Sequence, residues 1–387
     1  MSHALLAIGF RPFYPAAALL ALVAVPVWMA AFLGALPLNT PLPPLAWHAH
    51  EMVFGFAPAV IVGFLLTAVR NWTGHHTPDG AALAGLVLLC LTARVLLVTG
   101  PAPVAVLVDV IFLPVVAAAL AVPLWRGRNA RNAFVVPLLL ALGCLSAAHH
   151  GAYSGWLDGT WATRAVTAGL DLVALLMAVI GGRVIPAFSA NAVPGLAPRR
   201  WSAVEASSLG LLALIVVLDL SPLAAAVPQP LLHGVFAAAG GIHLLRLAGW
   251  RPWETRRNAL LLALPLAYLW LPVHLLLRTW LDTTPGQMAP LALHALTVGG
   301  MAGLMLAMMT RSALGHTGRA LTAGPWEYAA FAGIHLAGLT RVLGPLLWPQ
   351  AYTAWLVISA LCWSFAFAAF AARYVPVVAR PRVDAAA

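Results

Sequence analysis

The sequence predicts an all-α membrane protein of about twelve transmembrane helices, and its composition and length support this fold class. The 387 residues are 62% hydrophobic and 8% charged, with a mean hydropathy of +0.92. A soluble globular protein has about 45–50% apolar and about 25% charged residues, so a water-soluble fold is excluded. A membrane span needs about 20 apolar residues, so the roughly 240 hydrophobic residues suffice for roughly twelve spans.

Twelve apolar runs follow one another along the chain, and their length identifies them as helices. Backbone polar groups cannot stay unpaired in lipid, and transmembrane strands would be about half as long and would alternate in polarity. We therefore predict a single membrane domain over 1–387. Its predicted spans are 15–36, 48–69, 81–98, 103–124, 133–153, 162–182, 203–220, 230–248, 258–277, 289–309, 325–343 and 350–374.

The arginines predict the orientation of the chain. All 21 basic residues are arginine, and they form no basic stripe with interleaved aromatic residues, so no nucleic-acid partner is expected. With a cytoplasmic N-terminus, seventeen arginines fall on the inner side of the membrane. Only four fall on the outer side, namely Arg94, Arg164, Arg278 and Arg341. Because positively charged loops face the cytoplasm, we expect both termini to lie inside.

Histidines outnumber carboxylates, with thirteen against eleven. Neutral imidazole suits copper, iron and haem, and ionisable residues at membrane depth indicate a functional site. A buried metal needs ligands from several helices at one level, although a lone histidine could equally be a hydrogen-bonded structural residue. Seven histidines near the outer helix ends are therefore the predicted metal ligands: His48, His50, His149, His150, His233, His274 and His294.

Two histidine pairs and one acid stand out among these candidates. The rings of His48 and His50 point about 200° apart on a helix. They would therefore bind two different metal centres, or one would bind the metal and the other would hold that ligand in place. His149 and His150 are about 100° apart, which one copper accepts if the helix end is distorted. Glu51 adjoins the first pair and is the predicted catalytic residue, as a proton carrier or as a group that orients a ligand.

The cysteines and the outer arginines bear on a haem cofactor. The three cysteines form neither a CxxC nor a CxxCH pattern, so a disulfide and a covalently attached c-type haem are not expected. A haem bound by the outer histidines would hold its propionates at the outer surface. The four outer arginines are the candidate propionate partners, because guanidinium groups bind carboxylates in a bidentate manner. They could also be ordinary helix-end residues.

Spans two and ten show a weak internal similarity. In both spans, a glycine that follows threonine lies 24 positions after a histidine. The pairs are His50 with Gly74 and His294 with Gly318. This spacing predicts that the two spans are related units.

Four stretches carry a resemblance to a known family. They are GFRPFYP (9–15), WHAHEMVFGF (47–56), GFLLTAVRNWTG (63–74) and LHALTVGGMAGLMLAMMTRSALGHTGR (293–319). With the number and order of the spans, they resemble the NnrS family of multi-pass bacterial inner-membrane proteins. The resemblance implies haem and copper and a role in the nitric-oxide response. Because the chain has no CxxCH pattern, we expect the haem to be non-covalent, of b-type. The expected partners are the lipid bilayer, nitric oxide and an unidentified electron donor.

The same resemblance carries over to single residues. It implies functional roles for His48, His50 and Glu51 in the WHAHE element and for His294 in the HALTVG element. His316 also matches, although the predicted topology places it far from the outer histidines. The architecture is in addition distantly similar to the catalytic subunit of haem-copper oxidases, which is an analogy of fold alone. A proton-coupled or metal-ion carrier, or a non-catalytic haem gas sensor, are the alternative functions.

The predicted topology is directly testable. A reporter enzyme that works only in the cytoplasm, fused to the C-terminus, should be active in cells. Activity of a reporter that works only outside the membrane would contradict the orientation.

Overall fold

The computed structural model describes residues 2–221, 226–281 and 289–383, and within these ranges the chain is helical with twelve candidate spans. All predicted site residues lie in the described part. The spans, labelled α1 to α12 in chain order, are Phe10–Phe32, Pro44–Thr73, Gly80–Thr99, Ala102–Arg126, Ala130–Tyr153, Thr160–Ala192, Ser202–Leu220, Gln229–Gly249, Ala259–Leu281, Pro290–His316, Pro325–Leu347 and Pro349–Val378. The prediction of an all-α multi-pass membrane protein is confirmed.

The predicted and observed spans differ most at the C-terminal end of α6. The predicted span ends at residue 182, whereas the helix continues through Arg183 and Pro186 to Ala192. Hydropathy marks the length that suits lipid, and it does not mark where helical hydrogen bonding stops. Several helices begin at a proline, such as Pro44 and Pro325, whose fixed φ angle suits the first helical turn.

The chain divides into two compact units, a division that the sequence did not predict. Unit 1 comprises 1–169, 312–320 and 370–387, and unit 2 comprises 170–311 and 321–369. In unit 1, α2 packs against α1 and α4, and α4 packs against α3 and α5. In unit 2, α9 packs against α8 and α10, and α10 also packs against α11.

Spans α2 and α10 are the most buried of the twelve, and both change from α-helix to π-helix directly after a histidine. The π-helical stretches are Glu51–Phe56 after His50 and Ala295–Ala302 after His294. Each histidine is followed 24 residues later by a glycine with a left-handed backbone, Gly74 at φ 70° and Gly318 at φ 71°. The local geometry therefore supports the predicted relation between these two spans.

Close helix packing in unit 2 depends on a glycine in the second π-helix. A Cβ on Gly299 would overlap the indole ring of Trp270 in α9, whereas a Cβ on Gly300 would meet the Trp270 side chain only at 3.5 Å. An added methyl group is thus excluded at Gly299 and accommodated at Gly300.

Gly299→Ala should therefore destabilise the protein by about 1–3 kcal/mol, the usual cost of overpacking a core. Gly300→Ala is the matched control, since it adds the same methyl group in ordinary van der Waals contact. Thermal unfolding of the purified protein in detergent would measure both variants. Equal melting temperatures would contradict the packing described here.

Candidate metal centre

The candidate site in unit 1 begins with two adjacent side chains of α2. His50 is completely buried and Glu51 is 3% exposed, and the π-helix starts at the second of them. The Nδ1 atom of His50 lies 3.5 Å from Oε1 of Glu51. A carboxylate at one ring nitrogen leaves the other nitrogen, Nε2, directed elsewhere, and such an arrangement is typical of metal-binding histidines.

An arginine of α3 joins this acid to a second one on α4. Arg94 donates to Oε1 of Glu51 at 2.8 Å and also makes an ion pair with Oδ1 of Asp109. Gly55 leaves room for it, since a Cβ there would lie 2.9 Å from Arg94 NH1. One guanidinium therefore holds two carboxylates from different helices in the interior of the unit.

The other oxygen of Asp109 is where the imidazoles converge. Nε2 of His50 and Nε2 of His150 each lie 3.1 Å from Oδ2 of Asp109. The hydroxyl of Ser146 donates to the same oxygen at 2.8 Å and lies 3.2 Å from Nε2 of His50. His50, Asp109 and His150 are all buried, and their potential ligand atoms lie within 4.8 Å of one another.

These separations fit a metal ion. Metal–nitrogen bonds of about 2.0 Å in a four-coordinate centre place neighbouring ligand atoms about 3 Å apart. The two nitrogen–oxygen distances of 3.1 Å are compatible with that spacing and, without a metal, are hydrogen-bond distances. The cluster therefore supplies a donor set of two imidazoles and one carboxylate.

The charge of the cluster also favours a cation. With both acids ionised and both histidines neutral, Arg94 supplies one positive charge against the two negative charges of Glu51 and Asp109. The sum is one negative charge, in a place where all of these side chains are at most 7% exposed. An uncompensated buried charge is costly, so a bound cation or proton is needed to balance the site.

Each predicted histidine pair contributes one member to this cluster. His48 instead stacks on Trp28, with ring centroids 4.2 Å apart, as expected for a ring pointing away from His50. In the second pair, His149 Nδ1 lies 3.0 Å from the carbonyl oxygen of Ala162. The distorted helix end that would let both rings share one metal is not observed, because α5 continues as a regular helix to Tyr153.

The remaining predicted histidines lie in unit 2. Nδ1 of His274 lies 2.7 Å from the Ala292 carbonyl oxygen, and Nδ1 of His294 lies 2.7 Å from that of Pro290. A backbone carbonyl at Nδ1 fixes the tautomer and orients Nε2 toward a ligand. His233 is partly buried near the start of α8. The metal-binding roles of these three residues stay predictions.

Three of the four outer arginines are buried and engaged within the protein. Arg94 binds the two acids described above. Arg278 donates to both carboxylate oxygens of Asp219, at 2.8 and 3.2 Å, and Arg341 donates to the Tyr352 hydroxyl at 3.2 Å. Arg164 is partly exposed. Their assignment as haem propionate partners stays a prediction.

Two parts of the polar structure were not singled out from the sequence. Ser146 lies four residues before His150 and hence on the same helix face, a spacing that could have indicated it. In unit 2, the Tyr268 hydroxyl accepts a hydrogen bond from Arg246 at 2.9 Å and lies at hydrogen-bond distance, 2.7 Å, from Nδ1 of His243. Arg246 also donates to Glu205 at 2.6 Å. This second cluster links α7, α8 and α9, and its acid, Glu205, also pairs with the exposed Arg200 at 3.3 Å.

The arginine of the first cluster should be essential for stability. Arg94→Met leaves two buried carboxylates without their cation, and breaking a buried ion pair costs about 3–5 kcal/mol. Arg164→Met, at a partly exposed position, is the control and should unfold close to the wild type. Adding Glu51→Gln to Arg94→Met should restore part of the loss in a thermal unfolding experiment. Equal stability of the two single variants would contradict the ion-pair assignment.

Two comparisons with known proteins were informative in different ways. A search of curated proteins found no match to the chain. A family model described as NnrS protein matches residues 4–382, nearly the whole chain. The expected resemblance is thus confirmed over the full set of spans, and the chain belongs to the NnrS family.

Proposed function

We propose that this protein is a copper-binding membrane protein of the nitric-oxide response, with the copper held by His50, Asp109 and His150. The observation that carries the proposal is the buried cluster, in which two imidazoles and a carboxylate converge around an excess of one negative charge. Family membership supports a role in the nitric-oxide response, because that is the role the NnrS resemblance implies.

The donor set favours a transition metal. Imidazole nitrogens suit copper, zinc and iron, whereas magnesium and calcium prefer sites built from oxygen alone. The free cysteines Cys90, Cys144 and Cys362 are not members of the cluster, so it has no thiolate ligand. We choose copper among the imidazole-binding metals because the family resemblance implies copper.

The residues around the ligands would hold them in place. Glu51, at 3.5 Å from Nδ1 of His50, would fix the orientation of that ring, and Arg94 would keep both carboxylates ionised. Ser146, through its hydrogen bond, would hold the carboxylate of Asp109. Glu51 is also the acid of this site that could move a proton to or from His50, which is the catalytic role predicted for it.

Haem is the second proposed cofactor. His274 and His294 in unit 2 fit an axial ligand, because each has its Nδ1 atom against a backbone carbonyl oxygen. When bound, haem iron and copper would supply centres for diatomic ligands and for electrons. The proposed location is the bacterial cytoplasmic membrane, with the copper ligands on the outer side. The support for this orientation is the seventeen inner and four outer arginines.

Replacing a single ligand should separate the cluster from its neighbours. We expect His50→Ala or His150→Ala to lower copper per chain by about tenfold or more, since loss of even a supporting residue costs 10–100-fold in metal affinity. His149→Ala is the comparison, because it removes an adjacent imidazole that stacks on His50 at 5.7 Å without belonging to the cluster, so it should lower copper less than either ligand variant. Elemental analysis of protein purified from copper-supplemented cells measures the copper.

Several results would contradict the proposal. One is a wild-type protein that contains no copper, or zinc in place of copper. Another is a copper loss in His149→Ala as large as that in His50→Ala or His150→Ala. The exposed loop residues His75 and His76 supply further controls, whose replacement by alanine should change neither copper nor haem. Optical spectra of His274→Ala and His294→Ala test the haem ligands independently, with loss of the haem absorption band as the expected result.

A further inference from the structure

Three separate segments of unit 1 bring arginines together at one of its edges. Arg11 lies at the start of α1, Arg319 follows α10, and Arg380 follows α12. NH1 of Arg11 donates to the backbone oxygens of Val378 and Arg380 at 2.7 and 2.6 Å. These bonds fix the start of α1 against the end of α12, so the grouping of the arginines is built into the fold.

A further backbone contact fixes the third segment. The amide of Val383 donates to the carbonyl of Thr317 at 3.1 Å, two residues before Arg319. We call Arg11, Arg319 and Arg380 the inner arginine group, because all three belong to the set predicted to face the cytoplasm.

The inner arginine group carries positive charge that no ion pair neutralises within the described part of the chain. No carboxylate of the described residues forms an ion pair with Arg11, Arg319 or Arg380. Partial burial and the nearby charges of Arg380 and Arg373 lower the pKa of Arg319. Mutual repulsion between guanidinium groups at fixed positions favours the binding of an anion.

The surroundings of the group indicate which kind of anion fits. Arg380 is exposed and Arg319 is half-buried, so both can reach a ligand. Val375 is 41% exposed on α12 and Val383 is 53% exposed beyond it, so apolar surface adjoins the charge. A free phosphate ion would use the arginines alone, whereas a phospholipid would use both features.

We propose that Arg319 and Arg380 of the inner arginine group bind the phosphate of an anionic phospholipid in the cytoplasmic leaflet, with an acyl chain lying along Val375. The buried Arg11 holds the end of α12 in place. Guanidinium groups bind phosphate oxygens in a bidentate manner. Basic sites between helices on the cytoplasmic side are favourable places for anionic headgroups, at about 1 kcal/mol for each arginine near the surface.

The test is a lipid titration of the full-length protein, delipidated in detergent and followed by native mass spectrometry. Dioleoyl phosphatidylglycerol should bind about tenfold or more tightly than dioleoyl phosphatidylcholine. Arg319→Gln combined with Arg380→Gln should weaken phosphatidylglycerol binding about 30-fold, from two arginines at about 1 kcal/mol each. Phosphatidylcholine binding should not change.

Arg256→Gln combined with Arg257→Gln is the matched control, because it removes two exposed arginines of the predicted inner side from unit 2. Its phosphatidylglycerol affinity should equal that of the wild type. Arg380→Gln alone, at an exposed position, gives a second variant whose folding is not at risk. Equal binding of the two lipids, an equal loss in the control, or displacement of phosphatidylglycerol by inorganic phosphate would each overturn the proposal.

Discussion

The ion pairs of Arg94 are the interaction on which the candidate metal centre depends. Two carboxylates in the interior of a membrane-spanning unit would repel each other and would be costly to ionise. One guanidinium that contacts both allows them to stay charged, and it leaves Oδ2 of Asp109 available to the imidazoles. The absence of a side chain at Gly55 provides the space that this geometry requires. Removing any of these features would change the charge or the position of the proposed ligands.

The fold could be predicted from the sequence almost entirely, because lipid imposes a strong relation between hydropathy and helix length. The site could be predicted only in part. His50, Glu51 and Arg94 were recognised one by one, since polar residues are conspicuous in apolar spans. Their combination is not apparent from the sequence, because the pairing of Arg94 with Glu51 and Asp109 depends on how α2, α3 and α4 pack. Which member of each histidine pair faces the cluster depends on the rotation of α2 and α5, and helix packing decides that rotation.

The π-helices explain why α2 and α10 hold special positions in their units. A π-helical stretch adds a residue to a turn and turns the following side chains relative to the preceding ones, and it occurs often at functional sites. In α2 it begins at Glu51, directly after the proposed ligand His50, and in α10 it begins directly after His294. In both spans the histidine can thus point in one direction while the residues after the π-helical stretch keep their packing against neighbouring helices. The shared device favours a related origin for the two spans and a functional role for His294.

The charged groups of the protein differ in how far they are neutralised, and this difference separates structural from functional ones. In the cluster of His243, Tyr268, Arg246 and Glu205, hydrogen bonds join three helices, and the one acid is paired with Arg246 and Arg200, so the acid needs no further partner. The cluster around Asp109 has an excess negative charge and converging donor atoms, which together favour a cation. The inner arginine group has an excess of positive charge beside apolar surface, which favours an anionic lipid. Since the cluster around Asp109 is shielded from water, its imbalance is the stronger of the two arguments for a ligand of the opposite sign.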